Sequence, residues 1–137
     1  MARRSPAAVR AALPRRLRPG VKLPVVDGLS ARAVNEIQVL ERSESLPPGS
    51  VARALADWRH AVHSDARHLL DEAVRHGCPC CDPTEARGVL GLALTKLGPR
   101  SRRALSAKVE PLDEAFRRRT IHDPQTPPDW PWWRRRA

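Results

Sequence analysis

A chain of 137 residues with four Trp, one Phe and no Tyr has room for one domain, and its core must come from Leu, Val, Ile and Ala, which favours packed helices. No window approaches the ~20 apolar residues of a membrane span, which excludes a helical membrane domain. The net charge of +10 is uneven: residues 1–24 carry seven basic groups and no acid, residues 25–98 eight against ten, and residues 99–137 ten against five.

Cationic ends suit polyanions, either nucleic acid or an anionic membrane face, and otherwise serve solubility. Arg outnumbers Lys 22 to 3. The planar guanidinium binds phosphate in two-pronged fashion, which leans toward nucleic acid, although a GC-rich genome leaves the same bias. Met1–Gly20 is Arg-rich and acid-free like a transit peptide, but Pro14 and Pro19 interrupt it and it has no apolar h-region. Residues 1–28 therefore read as a disordered basic arm. Its Arg3, Arg4, Arg15, Arg16 and Arg18 are candidates for neutralising phosphates without reading sequence. Three clustered cysteines with no secretory signal point to a reducing, cytoplasmic setting.

The first helix is expected at Ala31–Ser43. Ser30 is a good N-cap, Leu29 can staple to Val34, and Ala33, Ile37 and Leu40 share one face. Leu46-Pro47-Pro48-Gly49 is a turn. Ser50 is the expected cap of a long second helix, Val51–His76, with the stripe Val51, Leu55, Trp58, Val62, Leu69 and Ala73. Its His60, His63 and His68 point in different directions and read as solvated side chains. Gly77 and Pro79 then stop that helix, and Asp82-Pro83-Thr84-Glu85 starts the third, Pro83–Leu97. Val89, Leu90, Ala93, Leu94 and Leu97 form its main face. With Leu92 opposite, it is apolar nearly all round and suits the centre of a bundle. Gly98-Pro99 opens a fourth helix whose stripe Leu105, Val109, Leu112 and Phe116 stays in phase through Pro111. This predicts a kinked helix to about Arg119, or two short helices in line. Residues 121–137, with four prolines, read as an extended tail with a polyproline II bias.

The chemistry-bearing stretches are three. His76, Cys78, Cys80 and Cys81 lie in one turn. Cys78 and Cys81 form a C-x-x-C that could be half a zinc site, with His76 third and Cys80 or His122 fourth. A redox use is opposed by the Asp82 carboxylate beside it, and the favoured reading of the turn is a plain helical corner plugged by small thiols. The third and fourth helices resemble a helix-turn-helix that would present Arg100, Arg102 and Arg103 to bases. Trp130, Trp132 and Trp133, followed by Arg134, Arg135 and Arg136, could seal the bundle, sit at an anionic membrane surface, or stack on single-stranded bases. Over seven residues the tail is similar to short Trp/Arg/Pro-rich membrane-active peptides.

The segment from about Leu94 to Arg136 also resembles a group of small, uncharacterised, basic actinobacterial proteins. The matching runs are Leu97-Gly98-Pro99-Arg100-Ser101-Arg102-Arg103-Ala104-Leu105 and Pro127-Pro128-Asp129-Trp130-Pro131-Trp132-Trp133-Arg134-Arg135-Arg136. The resemblance covers about a third of the chain and implies no activity.

There is no phosphate-cradling Gly loop, nucleophile elbow or H-E-x-x-H, and Asp71 and Glu72 are adjacent on a helix with their carboxylates pointing apart. The expectation is an all-α bundle of about four helices over residues 29–120, flanked by the arm and the tail. Its expected function is non-enzymatic interaction, with nucleic acid as first partner. The alternatives are a protein–protein adaptor using the Trp/Pro tail, and a zinc- or thiol-centred protein.

Overall fold

The computed structural model describes residues 22–64 and 82–136. They form four helices and no strand: α1 (Ala31–Ser43), α2 (Ser50–His63), α3 (Pro83–Lys96) and α4 (Pro99–Arg119), followed by a short 3-10 turn at Trp132–Arg134. The all-α bundle expected from the apolar spacing is therefore what forms. Its core is built from Ile37 and Leu40 of α1, Val51, Leu55, Trp58 and Val62 of α2, Leu90 and Ala93 of α3, and Leu105, Val109, Leu112 and Phe116 of α4. Val26 also enters it. The chain thus meets the bundle before residue 29: Leu23, Pro24 and Val26 lie against α1 and the start of α2 ahead of the Gly28 turn. The arginines of residues 1–21 lie outside the described residues.

Local signals set the starts of α1 and α3. Ser30 Oγ accepts the Ala33 N–H at 3.2 Å, and α1 has the bounds its spacing predicts. Asp82 accepts the Thr84 N–H at 2.9 Å ahead of Pro83, the first residue of α3. Pro111, exposed, sits inside α4, which continues as one helix of 21 residues. The stripe on either side of it is buried, so packing holds the helix across the one hydrogen bond that a proline removes.

Three expectations are corrected. Ser50 is not the cap of α2: its hydroxyl donates to the Pro47 carbonyl. The cap position is Gly49, with φ +82°, and a Cβ there would lie 2.6 Å from Pro24 Cγ, so conformation and crowding both require glycine. Nor does α2 run to His76. Ser64 is already extended, its hydroxyl donates to the Ala61 carbonyl at 2.8 Å, and Arg119 of α4 takes the Val62 and Ser64 carbonyls. The apolar phase continues in sequence beyond this point, but the hydrogen bonds of the last turn are claimed from outside. His68 and the turn with His76, Cys78, Cys80 and Cys81 lie outside the described residues.

Finally, the tail is not extended. It folds back so that His122 and Arg136 pair in an antiparallel bridge and the Asp123 N–H donates to the Arg135 carbonyl at 2.9 Å. Its prolines restrict local torsions, whereas indole packing and arginine hydrogen bonds determine its path.

The first turn of α4 also has no side-chain cap from Gly98. Glu36 of α1 lies there instead. The Ser101 hydroxyl, aided by Arg32 and the Gly98 backbone, holds its carboxyl below the usual value of 4.5, against an opposing desolvation effect. A depressed folded-state pKa means that this contribution is complete above the unfolded value and fades as pH falls through the folded one. Denaturation midpoints followed below about pH 4.5 should therefore fall more steeply for the wild type than for Glu36→Gln. Parallel curves would remove Glu36 from the account of α4.

Candidate functional site

The most distinctive site in the bundle is a buried polar centre between α2, α3 and α4. Arg87 Nε–H donates to Asp113 Oδ1 at 2.8 Å and Nη2–H to Oδ2 at 2.9 Å. Trp58 Nε1–H donates to the same Oδ1 at 3.1 Å. Both charged side chains are only 7% exposed. Each sits on the apolar face of its helix: Arg87 lies three residues before Leu90, and Asp113 between Leu112 and Phe116. Burial there is tolerable because the pair is two-pronged and further hydrogen-bonded.

The tail covers this centre. The Arg87 guanidinium carbon lies 4.3 Å from the Trp133 ring centroid and 5.7 Å from that of Trp132. A run of aromatic contacts links Trp58 to Phe116 at 4.8 Å, Phe116 to Trp132 at 6.3 Å and Trp132 to Trp133 at 5.8 Å. Gly91 makes room for the indole, since a Cβ there would meet Trp133 at 3.1 Å. Of the three readings of the tail, its indoles pack on the bundle at Trp132 and Trp133, while Trp130 is 44% exposed. Arg87 Nη1, Trp133 Nε1 and Arg135 Nε are the buried side-chain donors without a partner among the described residues, so every one belongs to the tail or to the arginine it covers.

The candidate arginines separate by role. Arg102 donates to the Leu97 carbonyl at 3.0 Å, closing α3. Arg136 donates to the Thr120 carbonyl at 2.6 Å, to Thr120 Oγ1 at 2.8 Å and to the Arg117 carbonyl at 3.0 Å, closing α4. With Arg119 on α2, arginines close the C-terminal ends of three helices, where cations also oppose the helix dipole. Arg134 pairs with Glu85. Arg100 and Arg103 are exposed and have no hydrogen bond or ion pair among the described residues. They stand at the far end of α4 from the tail, roughly 25 Å away at 1.5 Å per residue.

Among the described residues no cluster of His, Cys, Asp or Glu is placed to hold a metal ion. His122 is exposed in the bridge with Arg136. The groove between α3 and α4 beside Trp132 contains Ser106, Glu110, Glu114 and Arg117, of which the last two already pair at 2.8 Å. No helix in the described residues is long and apolar enough to cross a membrane. Sequence reasoning missed Arg87, Asp113, Glu36 and Glu41. Comparison with protein-family models, curated proteins and solved structures finds no match to this chain.

Proposed function

We propose that the chain is a non-enzymatic helical interaction protein that associates with nucleic acid through its basic segments. The observation that carries this reading is how the arginines are used. Arg102, Arg119 and Arg136 donate to neutral carbonyls, so they order the helices while keeping their charge. Residues 82–136 hold twelve basic groups against seven acidic ones. That surplus adds to the arginines of the N-terminal arm. Positive charge held on a rigid frame attracts a polyanion at long range and neutralises its phosphates on contact.

The test is binding of labelled single-stranded and duplex oligonucleotides over a range of salt. The logarithm of the binding constant should fall linearly with that of salt, by roughly 0.7–0.9 per phosphate neutralised. Removing residues 1–21 should lower both affinity and slope. Binding that ignores salt, or no binding at low salt, would sink the reading.

A further inference from the structure

We propose that the arginine triplets Arg117–Arg119 and Arg134–Arg136 form one composite phosphate-binding patch for single-stranded nucleic acid, assembled only when the tail is docked. The proposal rests on the nucleic-acid reading above and names its site. In sequence fourteen residues separate the triplets. The fold brings them to the same end of α4. Arg136 donates to the Arg117 carbonyl at 3.0 Å, and the Arg117 guanidinium lies 4.0 Å from the centroid of Trp132, two residues before Arg134.

Two of these six arginines have carboxylate partners, Glu114 for Arg117 and Glu85 for Arg134. The other four have no carboxylate among the described residues. Arg119 and Arg136 are held on carbonyls, and Arg135 keeps a buried Nε–H with no acceptor. Like charges gathered in this way repel unless an anion lies among them. Phosphate suits the guanidinium fork. A nucleic acid fits better than a bilayer because Trp132 and Trp133 are seated on the core and cannot enter a membrane interface. Trp130, two residues before Trp132 and 44% exposed, offers a face on which an unpaired base can stack. Since docking completes the patch, bound nucleic acid must in turn stabilise docking by the same factor.

The experiment is binding of a labelled oligothymidylate to the full chain. Arg118→Gln and Arg135→Gln, one from each triplet and neither with a side chain that closes a helix end, should each reduce the salt slope by about one. Each should weaken binding by a factor on the order of ten near 0.1 M salt. Trp133→Ala keeps every arginine but loosens the tail, and should weaken binding as much or more, with a thermal melt confirming the folded bundle. Unchanged affinity in Trp133→Ala would show that the triplets act independently and would overturn the composite patch while leaving nucleic-acid binding intact. In the wild type, acrylamide should quench indole emission less once oligothymidylate is bound; greater quenching would mean the tail is released, and would also overturn it. Absence of any binding by the wild type would sink both proposals.

Discussion

Asp113→Ala should lower the unfolding free energy by ~3–5 kcal/mol, the scale for removing one partner of a buried ion pair. The carboxylate accepts from Arg87 twice and from Trp58 once. Its loss leaves a guanidinium in the core with no counter-charge and an indole N–H with no acceptor. For a folded unit of this size the melting temperature should fall by roughly 10–30 °C, a large part of a total stability of ~5–15 kcal/mol. The double variant Arg87→Met/Asp113→Leu should recover most of the loss, because well-packed apolar replacements of a buried pair are often neutral or stabilising. The unpaired Trp58 N–H limits that recovery by ~1–3 kcal/mol. Denaturant midpoints for the two singles and the double give the coupling directly. A cost under ~1 kcal/mol for Asp113→Ala would show that the pair does not hold the three helices together.

Glu41→Ala should be the next most damaging change, at ~2–4 kcal/mol. The side chain leaves α1 and accepts the Gly49 and Val51 N–H groups, each at 2.9 Å, at the start of α2. The residue is 3% exposed, so no bulk water replaces it. Each orphaned buried N–H costs ~1–3 kcal/mol, and the negative charge also favours the positive end of α2. Glu41→Gln keeps one acceptor oxygen and should recover part of the loss. Chemical denaturation orders the three proteins. Equal stability of the alanine variant and the wild type would mean that the Leu46–Gly49 turn, not Glu41, holds the start of α2.

Helix formation was legible wherever its causes are local. Ser30 and the spacing of Ala33, Ile37 and Leu40 account for α1, and Asp82-Pro83 marks the start of α3. The stripe of α4 was readable through Pro111 because periodicity registers which side is buried, and burial is what keeps that helix continuous. The end of α2 was not readable. Its terminating hydrogen bonds come partly from Arg119, fifty-seven residues from Val62. The path of the tail was hidden for the same reason, since Arg136 and the two indoles find their partners only after the bundle closes.

The polar centre did leave a trace. A base on the α3 stripe and an acid beside the α4 stripe, of opposite sign, are the mark of a buried pair. Averaging each face as apolar passed over it. Arginine abundance suggested a ligand-facing surface, and the fold first uses several of those arginines to close its own helices.

The placement of Glu36 and Glu41 on α1 bears on how the bundle comes apart. Helices α2 and α4 begin at Gly49 and Gly98, neither of which supplies a side-chain cap. The start of α2 is completed by the Glu41 carboxylate of α1, and the Glu36 carboxylate of α1 lies beside Gly98 at the start of α4. Helix α2 has no finished first turn until α1 has docked, and loses it when α1 leaves. Short helices are marginal alone, so the loss of α1 spreads to α2. The described bundle should therefore come apart from α1 inward, with that helix, the least central by position, acting as the keystone of α2.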